Sequence, residues 1–229
     1  TRVRSSAASD VYKRQGWCTE VGLEVVQAGL QVMGGVGYTK DFPLEQLYRD
    51  ARISTIYEGT TDIQALDLIG RKILRNDGAL FQQLMGHYSE LINEHRDHQE
   101  MGQLINIFEG YCESLYETSM STQEILKERG MESIALYATP FLMFISSVTA
   151  GWLLLQQAVV ASEQLSRIRS KEGLEDLEDS EFLAKNEKAL FYSNKLKKTR
   201  YFLEAVIPKY HALFEGGKKQ NFDALEITF

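Results

Sequence analysis

Proline is scarce in this sequence. Only Pro43, Pro140 and Pro208 occur in 229 residues, well below the ordinary share of about 5%. Long proline-free stretches favour helices over a turn-rich β architecture. Cysteine is scarcer still. Cys18 and Cys112 stand far apart, with no CxxC pair and no disulfide framework, so a reducing, cytoplasmic setting is expected. A basic excess is also missing. The formal net charge is -7, which excludes nucleic acid or an anionic membrane as the main partner, because both need clustered Lys and Arg. Disorder is excluded by the 44% of apolar residues, enough to build a sizeable core.

The first fifteen residues, TRVRSSAASDVYKRQ, lack helical period and the apolar run of a signal peptide. Asp10–Gln15 resembles the translation of a transposon-end adapter used for sequencing libraries. Residues 1–15 are therefore expected to be a non-native, disordered start, joined to a protein that has lost its upstream part.

From Trp17 the period becomes helical. Trp17, Val21, Val25, Ala28 and Val32 form one apolar stripe, and Leu23, Val26, Leu30 and Met33 another. A helix apolar on most of its circumference is expected to be largely buried, and Gly34-Gly35 to stop it. Gly34 to Thr61 reads as ordered loop around a short helix near Leu44–Asp50, with Pro43 at its first turn. Thr61-Asp62-Ile63-Gln64 fits a capping box opening the next helix, on which Ile63, Leu66, Ile69 and Ile73 face one way. Asn76-Asp77-Gly78 reads as a terminator and a domain boundary.

Beyond the boundary, helices are expected from Leu80 to Ile92, around Leu104–Tyr116, from Ile134 to Ser162 and from Phe182 to Phe214. The last should kink near Pro208 and end at Gly216-Gly217. Ile134–Ser162 holds no charged residue. Its length would suit a membrane. Its serines, glutamines and Pro140, with flanks that are not basic, favour the central buried helix of a bundle, so no membrane span is expected. Lys171–Ser180 reads as an acidic surface loop.

Few groupings suggest chemistry. Glu58, within Ile56-Tyr57-Glu58-Gly59-Thr60-Thr61, is the sharpest. Gly59 would let a ligand approach the backbone, and apolar neighbours could desolvate the carboxylate into a stronger base. The same residues also read as a solvated loop acid beside a turn glycine. Gln31-Val32-Met33-Gly34-Gly35 either admits a phosphate-bearing ligand or is simply a helix C-cap; it is neither GxGxxG after a strand nor a P-loop. His95 and His98 sit on what reads as a solvated helix face, and no metal site is expected.

Three blocks in order, QVMGGVGYT, LYRDARISTIYEGTTDIQ and LDLIGRKIL, closely resemble the end of the catalytic region of acyl-CoA dehydrogenases. The opening WCTEVGLEV, the Gly151-Trp152 pair and the tail FYSNKLKKTRYFLEAVIP resemble the large-subunit branch, which adds a C-terminal helical domain. The resemblance implies an all-α helical bundle: residues 16–77 would end the dehydrogenase helical domain, and residues 78–229 would form the added one. It implies FAD, an acyl-CoA substrate, an electron-transfer flavoprotein as acceptor and a homo-oligomer, with a dimer favoured. Glu58 matches the base that removes the α-proton while hydride leaves the β-carbon for the flavin. Its backbone N–H matches the donor to the thioester carbonyl. Tyr57 and Gly59 match acyl-CoA contacts. Thr60, Thr61, Asp62 and Gln64 match positions near FAD, and Gln31, Val32, Met33, Gly34 and Gly35 match the stretch touching FAD of a neighbouring subunit. Asp62 departs from the Glu or Gly common there. The N-terminal helical and middle β domains of the family are absent from this sequence, so the fragment alone is expected to be inactive. An acyl-CoA oxidase, or a non-catalytic helical module retaining the motif, is the alternative.

Overall fold

The computed structural model describes residues 14–73, 78–98, 100–172 and 179–218. Among them every regular element is helical and no strand occurs, the all-α class that the period and the scarcity of proline predict. A wide turn (Arg14–Cys18) leads into α1 (Thr19–Met33), then a 3-10 turn (Gly34–Tyr38) and α2 (Leu44–Ile53). Next come α3 (Thr61–Asp67), prolonged by a π-helical stretch (Leu68–Ile73), α4 (Ala79–His95) and α5 (Gly102–Arg129). The chain continues through α6 (Met131–Glu172), α7 (Asp179–Lys185), α8 (Glu187–Tyr201), a second π-helical stretch (Phe202–Val206) and α9 (Ile207–Lys218). The expected foreign start lies outside the described residues, except for Arg14 and Gln15 in the wide turn. The expected terminator and acidic loop lie largely outside them too.

The described residues gather into two compact units. One takes the chain up to Gln82, Ser119–Ser146 and Phe214 onward; the other takes Gln83–Thr118 and Ser147–Leu213.

In the first unit the core is aromatic. Phe214 stacks on Phe144, with centroids 5.1 Å apart, and meets Phe141 edge-on at 5.8 Å. Gly16 allows a close approach to the same core, because a Cβ there would lie 2.4 Å from Leu142 Cδ2. Helix α1 departs from expectation. Leu23 is its one buried side chain, and Val32 is 86% exposed. Its main neighbours among the described residues are α2 and the turns at its ends, with one side-chain bond to α3. A helix apolar on most sides needs cover on most sides, and here it is covered on one. On α3 the expected apolar face is corrected in part, Ile69 and Ile73 being buried as expected and Ile63 not. Ile63 is exposed, whereas Thr61, Gln64, Ala65, Leu68, Ile69 and Ile73 are buried. The buried residues Thr61, Ala65, Ile69 and Ile73 recur every four residues, the last two within the π-helical stretch.

The second unit is built around Tyr88. Its hydroxyl bonds Thr149 Oγ1 at 2.7 Å, and its ring meets Phe108 edge-on at 5.5 Å. Burial pushes the phenol well above its ordinary range. Gly151 is forced by closeness: a Cβ would stand 2.9 Å from Ile207 Cδ1 and 3.1 Å from Leu203 Cδ2. The kink expected near Pro208 takes the form of the Phe202–Val206 π stretch, where the Ile207 N–H reaches back to Phe202 O. The next partner in that pattern would be the N–H of Pro208, which does not exist. The Tyr111 hydroxyl donates to the stranded Leu203 carbonyl at 3.0 Å.

Helix α5 runs well past Tyr116 to Arg129. Its serine- and threonine-rich middle is poor in helix propensity, but Thr118 and Ser119 are buried there, and packing overrides propensity. Helix α9 passes through Gly216-Gly217 to Lys218. The helix expected over 182–214 is broken at Asn186, whose side chain accepts from Ala189 N at 2.9 Å and starts α8. Asn186→Ala should cost about 1 kcal/mol, read from urea denaturation followed by circular dichroism. Helix α6 alone among the described residues is long and apolar enough to cross a membrane, and 61% of its most apolar window is buried inside the protein. That burial is the mark of a core helix.

The two thiols differ sharply. Cys18 is exposed and Cys112 buried, and burial raises the Cys112 thiol well above its usual range. A thiol reagent at pH 8 should titrate one cysteine in the native chain and both in denaturant.

Candidate active site

Helix α2 unwinds through single turns, with Ser54 N–H to Ala51 O at 3.2 Å and Tyr57 N–H to Ile53 O at 3.1 Å. The chain then reverses on two left-handed residues, Glu58 at φ 57° and Gly59 at φ 99°. Among the described residues Glu58 is the one non-glycine residue with positive φ. Such a backbone costs on the order of 1–3 kcal/mol and persists only where its surroundings hold it. Gln64 does the holding. Its Nε2 donates to Glu58 O at 2.7 Å, and the side chain is 7% exposed. Gly59 is needed for its φ and for closeness, since a Cβ there would lie 3.1 Å from Gln64 Nε2. Gln64 Oε1 is buried and has no hydrogen-bond partner.

The capping box is therefore not formed. Thr60, extended at φ -61° and ψ 162°, occupies the cap position without a side-chain bond. Thr61 Oγ1 donates to Glu20 Oε1 at 2.5 Å, tying α3 to the first turn of α1. With that hydroxyl engaged and Gln64 spent on the left-handed turn, neither is free for the box. Asp62 Oδ1 accepts from the Thr139 hydroxyl of α6.

Glu58 itself is exposed, and its Oε2 accepts from Gln15 Nε2 at 2.6 Å. The desolvation expected from Ile56 and Tyr57 is not supplied by this chain, because both side chains are about half exposed. Glu58→Gly should raise stability by about 0.5–1 kcal/mol: relief of the left-handed backbone, worth roughly 1–2 kcal/mol, exceeds the entropy cost of glycine. A denaturation midpoint checks this, and a loss of stability would remove the case for strain.

Gln31, Val32, Met33, Gly34 and Gly35 lie together at the far end of α1, all exposed. Gly34, at φ 63°, ends the helix as expected, and a Cβ at Gly34 or Gly35 would meet nothing within 4 Å. Gln31 is eleven residues from Glu20, about 16 Å along the axis. Because Glu20 anchors Thr61, the glycine turn and the Glu58 turn are held well apart on α1.

Elsewhere, Arg49 pairs with Glu45 at 3.1 Å. The rings of His95 and His98 meet edge-on at 6.4 Å, and among the described residues no group of three or more His, Cys, Asp or Glu is placed to hold a metal. The partners that the sequence did not reveal, Gln15, Glu20 and Thr139, lie 43, 41 and 77 residues from the groups they bind. No local pattern marks such pairs.

Residues 82–227 match the family model described as acetyl-CoA dehydrogenase C-terminal like. Residues 8–74 match that of the acyl-CoA dehydrogenase C-terminal domain. The chain is 34% identical over 157 residues, 67% of its length, to a 3-methylmercaptopropionyl-CoA dehydrogenase of Ruegeria pomeroyi. It is 32% identical over 58% of its length to FadE5 of Mycobacterium tuberculosis, a broad-specificity linear acyl-CoA dehydrogenase. A butyryl-CoA dehydrogenase of Syntrophomonas wolfei is 25% identical over 88% of the chain. The matches span only 26%, 22% and 30% of those relatives' lengths.

Proposed function

Because this chain belongs to the acyl-CoA dehydrogenase family, we propose that it is the C-terminal helical part of a flavin-dependent enzyme converting an acyl-CoA thioester to the trans-2-enoyl-CoA, with Glu58 as the α-proton base. The observation that carries this reading is the backbone of Glu58, held left-handed by the buried Gln64 amide. A strained acid on a glycine turn at the mouth of a helix is a costly arrangement for a loop residue with no task.

Glu58 takes the α-proton onto a carboxylate oxygen. Its own N–H donates to the thioester carbonyl, stabilising the enolate-like charge as it develops. The α-proton is weakly acidic, so the polarised carbonyl and a water-poor base are both required. The water-poor setting comes from substrate and from parts of the enzyme outside this chain. Tyr57 and Gly59 line the acyl-CoA.

The residues fit a flavin in two respects: Gln64 Oε1 is a buried acceptor without a partner, and the Gly34–Gly35 turn stands open. Thr60, Thr61, Asp62 and Gln64 would hold FAD in one protomer. Gln31, Val32, Met33, Gly34 and Gly35 would touch that of a second. The separation of the two turns along α1 supports this division, and with it a homo-oligomer, a dimer being favoured. Bound FAD supplies the acceptor for the hydride leaving the β-carbon. An electron-transfer flavoprotein in the cytoplasm would be the partner that accepts the electrons. Residues 16–77 and 78–229 would be the two family segments, a division supported by matches ending at 74 and starting at 82, while the compact units follow another line, with Ser119–Ser146 grouping with the chain up to Gln82.

The test is anaerobic. The full-length parent, mixed with an acyl-CoA, should lose its flavin absorbance and yield the enoyl-CoA; unchanged absorbance with a range of chain lengths would refute the proposal. The 229-residue chain alone should purify colourless and show no turnover.

A further inference from the structure

Helix α8 is the basic element of an acidic chain. It carries Lys188, Lys195, Lys197, Lys198 and Arg200 against Glu187 alone, whereas the whole chain has a net charge of -7. Lys195 is tied to Gln157 Oε1 at 2.9 Å, and Arg200 stands 3.6 Å from Glu204. Lys197 and Lys198 have neither a hydrogen bond nor an ion pair among the described residues. Lys195 with Lys198, and Lys197 with Arg200, are like charges one helical turn apart, a spacing at which they weaken a helix. Beside the two free ammonium groups runs a groove of about 450 Å³. Leu154, Phe202 and Val206 give it apolar walls, and Asn194 and Tyr201 border it. All of these residues lie in the second unit. Tyr201 is 67% exposed, and Asn194, Lys197 and Lys198 are exposed as well.

A groove open along this side covers too little of a small molecule to hold it well. A helix laid along it brings its own outer face as cover. A membrane surface or a nucleic acid calls for a wider basic field than two free lysines. The acidic remainder of the chain also repels a polyanion that extends beyond a Debye length of about 8 Å. A second copy packed on a two-fold axis through this face would set lysine against lysine. A short acidic helix meets none of these obstacles. We propose that the groove docks an acidic amphipathic helix of a partner protein, its apolar stripe on Leu154, Phe202 and Val206 and its carboxylates on Lys197 and Lys198. None of these residues belongs to the Glu58 turn.

Phage-displayed random peptides of about 16 residues, long enough for about four helical turns, test this against the 229-residue chain. Enriched peptides should carry Asp or Glu beside Leu, Ile or Phe at spacings of three and four. Synthesised and followed by fluorescence anisotropy at low salt, they should bind the Lys197→Glu/Lys198→Glu variant at least about tenfold more weakly, since each reversal turns an attraction into a repulsion. The same peptides with their apolar residues cut to alanine should lose as much. No enrichment, enriched peptides without acids, alanine-cut peptides that bind as well, or affinity unchanged in the double variant overturns the proposal. Equal or tighter binding of phosphatidylglycerol vesicles or oligo-dT, lost in the same variant, also overturns it and gives the face to a polyanion. A dimer in sedimentation that the variant dissolves overturns it in favour of a second copy. If the double variant melts early, Lys198→Ala should still weaken peptide binding about threefold, and unchanged binding there would count equally against the site.

Discussion

Glu58→Gln in the full-length enzyme should lower acyl-CoA-dependent flavin reduction by about 10³-fold or more while leaving flavin content and melting temperature unchanged. The carboxamide matches the carboxylate in shape but has no basic oxygen to receive the α-proton. The backbone N–H at position 58 and the Gln64 bond to its carbonyl are untouched by the change, so substrate should still bind. Glu58→Asp keeps the base and draws it back by one methylene, a displacement of about 1 Å that should leave activity reduced about 10²-fold. Stopped-flow absorbance resolves the three enzymes. Full-rate bleaching by the glutamine variant would remove Glu58 from the chemistry. A loss of flavin in that variant would instead make the residue part of the cofactor site.

Phe144→Ala should cost about 3–5 kcal/mol. Phe144 is fully buried, stacked on Phe214 at 5.1 Å within the uncharged part of α6, and alanine would leave a ring-sized void. The expected fall in melting temperature is about 6–20 °C. Phe191, on α8 and 57% exposed, serves as the contrast, since Phe191→Ala should change stability by less than about 1 kcal/mol. Urea titrations of the 229-residue chain measure both. The pair also tests the status of α6. A core helix loses stability when its inward aromatic ring is cut away. Little cost at Phe144 would show that this face is not packed in the core.

Much of the fold was legible because helices are written in local periods. The scarcity of proline, the glycine stop at Gly34, the start of α2 at Pro43 and the uncharged run of α6 each depend on neighbours within a few residues. Legibility failed where distant partners compete for the same groups. Thr61-Asp62-Ile63-Gln64 has the letters of a capping box, but Glu20 takes the hydroxyl and the Glu58 carbonyl takes the amide. The α8 start at Asn186 was hidden within a stretch that otherwise reads as continuous helix. The burial of α1 was overstated because periodicity reports which faces are apolar and says nothing of what covers them.

The sequence by itself determined the all-helical class, the family and the identity of the acid in the motif, since each rests on residue types at short spacing. Only the tertiary structure decided how Glu58 is held. Its left-handed backbone, the orphaned oxygen of Gln64 and the anchoring of Thr61 on α1 arise from groups brought together across six to forty-one residues. The same holds for the groove of about 450 Å³ in the second unit, which joins Leu154 of α6 to Lys197 and Lys198 of α8, because only packing brings together helices that lie apart in the chain.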